Sequence, residues 1–178
     1  MTMYDYKFAG ESLTAFAQIR HTWFAINKVA ESRLHEYNST PETVAVLWAC
    51  RDFPGPLHPA EIARLVFRAP HTVVSLLNRL EKEGLIVRVP KSPGHPHTEV
   101  KLTPKGKEAC APRVEALKDV IAETMSVMSD EELKQLGSLL KVLEAKALEM
   151  LRMKLKPAPG RPQDVAMPLK GRAAVRES

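Results

Sequence analysis

Residues 57–106 read LHPAEIARLVFRAPHTVVSLLNRLEKEGLIVRVPKSPGHPHTEVKLTPKG, and this stretch carries two helical patterns in immediate succession. The first begins at His58, which takes the N-cap position, and it ends before Pro70 because proline cannot continue a helix. The second runs from Pro70 to Glu83, and Gly84 follows it as a glycine commonly follows a helix. We expect the apolar residues at helical spacing to be buried: Ile62, Leu65, Val66, Val73, Leu76, Leu77 and Leu80. Two short helices separated by a tight break predict a helix-turn-helix.

The segment after these helices predicts a β-hairpin. Residues 85–89, LIVRV, are rich in β-branched side chains, and residues 98–102, TEVKL, alternate like a half-exposed strand. The KSPGHPH segment between them is typical of a hairpin tip. A hairpin directly after a helix-turn-helix forms a wing, so we assign residues 40–103 to a winged helix-turn-helix domain.

Long amphipathic helices are predicted on both sides of this domain. Apolar side chains recur every three or four positions through residues 10–37, and Thr40-Pro41 opens a second helix that ends near Asp52. Two more helices follow Thr103-Pro104, and the second starts at a capping box formed by Ser129 and Glu132. The expected fold is mainly α with a small β wing.

The outer helices present more apolar surface than one small winged domain could cover. We therefore assign residues 10–38 and 104–156 to a helical dimerisation region and expect a homodimer. Residues 157–178 contain four prolines, two glycines and scattered basic residues, which interrupt every periodicity. This composition predicts a disordered basic tail.

The distribution of charge favours a polyanionic partner. The chain has 26 Lys or Arg against 21 Asp or Glu, a net charge of +5, with a pI near 9.3. Residues 57–106 hold eight Lys or Arg against four Glu, so most of the excess lies in the winged segment. Duplex DNA is the partner that such a segment predicts.

Several classes of protein are disfavoured by the sequence. No apolar run approaches the roughly 20 residues that a membrane span needs, and the start of the chain lacks the pattern of a secretory signal, so we expect a cytoplasmic protein. The glycine-rich phosphate loop, GxSxG and HExxH motifs are all missing, so we expect neither an enzyme nor a cofactor. Cys50 and Cys110 have no CxxC spacing and are interpreted as two reduced thiols, with oxidant sensing as the less favoured alternative.

Four strings in this order closely resemble the MarR family of bacterial transcription regulators. They are TPETVAVLWAC (40–50), HPAEIARLV (58–66), PHTVVSLLNRLEKEGLIVR (70–88) and KLTPKGKE (101–108). The resemblance covers roughly residues 10–155. It implies a homodimer whose outer helices interleave and whose winged domains reach adjacent major grooves of a pseudo-palindromic operator. It also implies a regulator, most often a repressor, whose DNA binding is modulated by a small ligand.

The exposed side of the recognition helix supplies the candidates for reading base edges, because that side opposes its buried residues. These candidates are His71, Thr72, Val74, Ser75 and Asn78. Thr72 and Ser75 suit base or phosphate oxygens, Val74 suits a thymine methyl group, and Asn78 suits adenine. The predicted phosphate contacts are Arg68, Arg79, Lys82, Arg88 and Lys91. A plain solvated helix face is the alternative for the polar residues, and a salt bridge that braces the wing is the alternative for Arg79.

The wing tip departs from the pattern of the MarR family. That family usually carries Asp-Arg or Asp-Arg-Arg there, whereas this chain has Gly94-His95-Pro96, so Arg88 lacks its expected acidic partner. We expect His95, His97 or Lys91 to take over the wing's contacts with DNA. His95 and His97 have no third ligand nearby in sequence, so we interpret them as solvated rather than metal-binding.

Trp23, Tyr37 and Trp48 are candidates for a pocket that binds a small aromatic or anionic effector, because the resembling family often binds such ligands beside its dimer helices. Ordinary core packing is the favoured alternative for these three aromatic residues. A second function also stays open. The missing wing-tip arginine is compatible with a winged-helix module that binds another protein and binds DNA weakly or not at all.

Overall fold

The computed structural model describes residues 10–90 and 98–153. Six helices and two strands follow one another in these ranges: α1 (Glu11–Leu34), α2 (Pro41–Asp52), α3 (Pro59–Leu65), α4 (Pro70–Lys82), β1 (Ile86–Pro90), β2 (Thr98–Leu102), α5 (Pro104–Met125) and α6 (Asp130–Met150). A short 3-10 helix, His35–Tyr37, extends α1. The predicted fold class, mainly α with a small β wing, is confirmed.

Side-chain caps explain where three of the helices begin. The Thr40 hydroxyl accepts a hydrogen bond from the Thr43 N–H (3.2 Å), and Thr103 accepts one from the Gly106 N–H (2.9 Å). The Ser129 capping box is present as predicted. Each cap satisfies an N–H that has no partner inside its helix.

His58 takes the N-cap position of α3 as predicted, but not by bonding to the helix. Its side chain makes no cap hydrogen bond, and its Nδ1 lies instead 3.0 Å from the carbonyl oxygen of Thr98 in β2. Pro59 at the first position of α3 supplies no N–H and is already fixed in helical φ, so this helix begins without a side-chain acceptor. His58 thereby joins the start of the helix-turn-helix to the wing.

The core joins the winged domain to α1 and α5. Its largest fully buried side chains include Leu34, Leu47, Ile62, Leu77, Leu80, Ile86, Val114 and Val120. The burial predicted for Leu65 is wrong, because this side chain is 45% exposed, and Ala63 is buried instead. The reason is that α3 has only seven residues and presents Ile62 and Ala63 to the core, so Leu65 in its last turn faces solvent.

The wing is an antiparallel pair in which Ile86 faces Leu102 and Pro90 faces Thr98. Its base is held tightly against α5. A Cβ placed on Gly106 would lie 1.8 Å from the carbonyl oxygen of Leu85, so only glycine fits at this point of α5. That same oxygen accepts a hydrogen bond from the Thr103 N–H (3.1 Å), which fixes the angle at which the wing leaves the domain.

Large apolar side chains remain exposed on the outer helices. They are Leu13, Phe16, Ile19, Trp23, Phe24 and Val29 on α1, and Leu139, Leu140, Val142, Leu143 and Met150 on α6. Leu148 is the single buried residue of α6. None of the described helices is both long and apolar enough to cross a membrane.

Candidate nucleic-acid interface

Helix α4 separates its two faces as its sequence predicts. Val73, Leu77 and Leu80 are buried in the core, and Leu76 is partly buried. The five residues proposed to read bases are all exposed: His71, Thr72, Val74, Ser75 and Asn78. Pro70 occupies the first turn of the helix, and no acidic residue lies there. No carboxylate in the first turn itself therefore offsets the positive end of the helix dipole.

Arg88 in β1 pairs with an acidic residue of α4, a partner that was not predicted and that differs from the wing-tip aspartate of the resembling family. Glu81, in the last turn of α4, accepts hydrogen bonds from the Arg88 guanidinium and from the Arg88 backbone N–H (3.2 Å). These bonds lower the pKa of Glu81. The same guanidinium donates to the Asn78 side-chain oxygen (2.7 Å). Arg88 therefore ties the wing to α4 and fixes which way the Asn78 amide points.

Two arginines contact the start of α2. Arg79 does so from α4, and Arg68 does so from the turn before α4. Arg79 donates a hydrogen bond to the Thr43 hydroxyl (2.7 Å), and its Nε lies 3.7 Å from a Glu83 oxygen. Arg68 pairs with Glu42 at 2.6 Å. Both arginines remain about half exposed. Each therefore has a structural partner and a solvent-facing surface that a phosphate could reach.

A cleft of about 430 Å³ lies between α2 and α4 beside these arginines. Its lining includes Thr40, Glu42, Thr72, Ser75 and Arg79. Sequence analysis did not identify Glu42, Thr43 or Glu81 as part of this surface. Their partners lie 26, 36 and 7 positions away, and no local pattern signals contacts of that kind.

The remaining predicted contacts are placed only in part. Lys82 is exposed at the end of α4. Lys91, Gly94-His95-Pro96 and His97 lie outside the described residues, so their predicted contacts with DNA stay predictions.

Comparison with known proteins agrees with this geometry. Residues 37–95 match the model of the MarR family, which covers the helix-turn-helix and β1. Among solved structures, the organohalide-sensing regulator RdhR-CbdbA1625 in its ligand-free form is similar, with a TM-score of 0.72 and 23% identity over 82% of this chain and 88% of that one. This chain has the MarR fold. The resemblance inferred from the sequence is confirmed.

Two further MarR-fold structures bear on function through what they contain. The complex of Staphylococcus aureus MepR with DNA has a TM-score of 0.69 and 21% identity, over 73% of this chain and 96% of that one. The 2,4-dichlorophenol-bound form of RdhR-CbdbA1625 has a TM-score of 0.71 and 22% identity, over 88% of this chain and 98% of that one. No curated protein matches the sequence.

The aromatic residues proposed for an effector pocket occupy different parts of this MarR fold. Tyr37 and Trp48 pack against the core, whereas Trp23 is 54% exposed on α1 and touches the Phe24 ring edge-on at 5.1 Å. Arg113 of α5 donates to the Tyr37 carbonyl oxygen (2.9 Å) and lies over its ring. The structure of a single chain therefore does not bring Trp23 together with Tyr37 and Trp48 in one pocket.

Trp48 lies where α2 and α5 meet. Its indole N–H donates to Asp52 (2.6 Å), and the Lys118 ammonium lies 5.8 Å from the centre of its ring. Hydrogen bonds from Arg51 and then from Trp48 lower the pKa of Asp52. Trp48 is thus held by polar contacts as well as by packing, and it has charged groups of both signs beside it.

The two cysteines are poorly suited to react as thiolates. Burial, and to a smaller extent the neighbouring Cys110, raises the pKa of Cys50 to about 12. Burial likewise raises the pKa of Cys110. Because the thiolate is the reactive form, these environments favour the interpretation of two inert reduced thiols.

Proposed function

We propose that this protein is a transcription regulator that binds duplex DNA through α4. The observation that carries the proposal is the division of α4 into a buried face and an exposed face that carries hydroxyl, amide and imidazole groups. Arginines at positions 68, 79 and 88 flank that exposed face. Side chains of these types read base edges and hold phosphates in winged-helix proteins. The MepR complex supplies a relative of the same fold that binds DNA.

The functional unit that we propose is a homodimer on a pseudo-palindromic operator. The exposed apolar residues of α1 and α6 are the surface that a second copy would cover, since one chain buries only Leu148 of α6. Two recognition helices would then enter successive major grooves, about 34–36 Å apart along the duplex. We propose that this regulator is a repressor, which acts in the cytoplasm by blocking transcription from such a site.

DNA selection tests the proposal directly. The full chain is used to select duplexes from a random library, and the Kd for the selected duplex is measured at 50 to 200 mM salt. We expect enrichment of an inverted repeat and a steep loss of affinity with salt, because each neutralised phosphate contributes about −0.9 to the logarithmic slope. Recovery of no enriched duplex, together with no binding near 50 mM salt, would refute the proposal.

A matched pair of double variants locates the interface. Ser75→Glu with Asn78→Glu adds two negative charges three residues apart on the exposed face of α4. Gln135→Glu with Ser138→Glu makes the same change on α6, where Ser138 donates to the carbonyl oxygen four residues earlier, just as Ser75 does. We expect the α4 pair to abolish DNA binding and the α6 pair to keep it, provided that gel filtration shows the same oligomeric state for both.

We also propose that a small aromatic or anionic effector weakens DNA binding by occupying the junction of α2 and α5. Trp48, Tyr37, Arg113 and Lys118 combine aromatic surface with positive charge there. The dichlorophenol complex of RdhR-CbdbA1625 provides a relative that binds a phenol. Titration with 2,4-dichlorophenol and with benzoate should quench the fluorescence of Trp48 and raise the Kd for DNA. A Trp23→Phe variant, which leaves Trp48 as the single tryptophan, reports the junction alone.

A protein-binding winged-helix module is the second candidate function. The pairing of Arg68 with Glu42 and of Arg88 with Glu81 favours it, because these carboxylates offset part of the positive charge beside α4. The DNA selection separates the two candidates. A regulator enriches a duplex, and its α4 double variant no longer binds that duplex, whereas a protein-binding module enriches none.

A further inference from the structure

Helices α3 and α4 end in the same hydrogen-bond pattern. After α3, the Phe67 N–H donates to the Arg64 carbonyl (3.3 Å) and the Arg68 N–H donates to the Ala63 carbonyl (3.0 Å). After α4, the N–H groups of residues 84 and 85 donate in the same way to residues 81 and 80, at 2.9 Å each. This pattern requires a left-handed backbone just past the helix end, a position that glycine fills most often.

The residue in that position differs between the two helices. Gly84 takes it after α4 with φ 72°, whereas Phe67 takes it after α3 with φ 51°. Asn38 and Arg152 also have positive φ, at 47° and 53°, so Phe67 is the one aromatic residue with this backbone conformation in the described ranges. A bulky side chain is disfavoured there because its Cβ crowds the backbone.

Burial does not compensate for this unfavourable conformation. Phe67 is 63% exposed, and two apolar residues near it in sequence are exposed as well, Leu65 at the end of α3 and Val74 on α4. Arg68, which follows Phe67 directly, is about half exposed. The turn between the two helices therefore presents an aromatic ring to solvent next to a positive charge.

The location of the turn indicates what this ring meets. In a helix-turn-helix bound to DNA, the first helix crosses the sugar-phosphate backbone and the N-terminal end of the second reaches the base edges. The turn joining them then lies at the edge of the major groove. Deoxyribose rings and thymine methyl groups are the apolar surfaces available at that edge.

We propose that Phe67 is a DNA contact, whose ring packs against deoxyribose or a thymine methyl group at the edge of the groove that α4 enters. This inference rests on the proposed function. The inference adds an apolar contact at a position that glycine fills most often, and it explains why an exposed aromatic residue occupies a left-handed turn.

Phe67→Gly is the test, because glycine keeps the turn and removes only the ring. The Kd for the duplex selected by the wild-type chain is measured across a salt series, with Tm and gel filtration as checks of folding. We expect a Kd raised at least about fivefold, with a Tm no lower than that of the wild type. The salt slope should be unchanged because no charge is removed, whereas loss of a phosphate contact would reduce it by about 0.9.

Two further variants separate the ring from the backbone. Phe67→Asn also tolerates the left-handed conformation and should weaken binding as much as Phe67→Gly does. Asn38→Gly makes a comparable backbone change at the end of the first helical segment and should leave the Kd within twofold. If either Phe67→Gly or Phe67→Asn binds the duplex with wild-type affinity, the inference is overturned and the proposed function stays intact. Failure of the wild-type chain to bind any selected duplex would instead remove the proposed function.

Discussion

Replacement of Gly106 by alanine should destabilise this protein, although alanine is normally the better residue inside a helix. Gly106 lies in the first turn of α5, against the residue that precedes β1. An alanine Cβ would lie 1.8 Å from the carbonyl oxygen of Leu85 and 2.8 Å from its carbonyl carbon. Ordinary carbon-oxygen contacts are about 3.3 Å or longer, so the two segments would have to separate by about 1.5 Å.

The size of the effect follows from what must move. Overpacking typically costs about 1–3 kcal/mol, and the upper end applies because the obstructing atoms are backbone held by a hydrogen bond from Thr103. The intrinsic advantage of alanine in a helix, about 1 kcal/mol, offsets part of this cost. A net loss of about 2 kcal/mol is therefore expected. For a chain of this length it corresponds to a fall in Tm of about 4–8 °C.

Gly137→Ala is the matched control. Gly137 lies inside α6, and a Cβ built on it meets nothing within 4 Å in the chain. This variant should therefore gain about 1 kcal/mol, so the two substitutions change stability in opposite directions. Thermal unfolding of both variants is compared with that of the wild type at one fixed protein concentration, because an oligomer's Tm depends on concentration.

DNA binding provides a second readout of the same contact. Because the Leu85 carbonyl sets where the wing leaves the domain, separating it from α5 should also weaken binding of Gly106→Ala to the selected duplex. A Tm for Gly106→Ala equal to or above that of the wild type would refute the reasoning. It would mean that α5 and the wing are not held as closely as the structure shows.

Three further predictions concern polar groups. Glu81→Gln should weaken DNA binding by loosening Arg88, and it should also remove part of the pH dependence of the free energy of unfolding. Because the pKa of Glu81 is lowered in the folded protein, its contribution to stability is complete above the usual pKa of a glutamate. That contribution is lost as the pH falls through the lower pKa of the folded state. Urea unfolding from pH 3 to pH 7 measures this, and equal acid sensitivity in both proteins would contradict it. Cys50, which is partly buried and has its pKa raised to about 12, should react with a thiol reagent at pH 8 much more slowly than free cysteine, so labelling at the rate of free cysteine would be inconsistent with the raised pKa. Thr103→Val should cost about 1–2 kcal/mol by removing the cap of α5, with Thr103→Ser retaining most of the stability.

Periodicity within single helices was the part of the fold that sequence analysis predicted best. The buried and exposed faces of α4 follow from the 3.6-residue repeat, and the Thr40, Thr103 and Ser129 caps follow from local hydrogen bonds. The prediction for Leu65 failed because α3 is too short for periodicity to define its buried face. The N-cap position of His58 was predicted, but its contact with β2 was not, because that partner lies 40 positions away.

The candidate DNA-binding surface was also predicted only in part from the sequence. Its exposed residues on α4 were predicted from the sequence, and their role in binding stays a proposal. The pairing of Arg88 with Glu81 was not predicted because it joins a helix to a strand, and the spacing of residues within either element does not specify that contact. Arg79 was predicted either to contact phosphate or to brace the wing through a salt bridge. It bonds to Thr43 of α2 and lies near Glu83, and its exposed side remains available to DNA.

The sequence by itself determined which segments form helices and strands, where most of the helices begin, and which face of α4 is polar, because short-range hydrogen bonds and side-chain spacing decide these features. The tertiary structure alone decided which charges are paired, how closely Gly106 approaches Leu85, and that Phe67 is exposed in a left-handed turn. Those features depend on distances between residues that lie far apart in the chain or on the path of the backbone between two helices. Residue type and spacing do not specify such distances, and packing of the whole domain does.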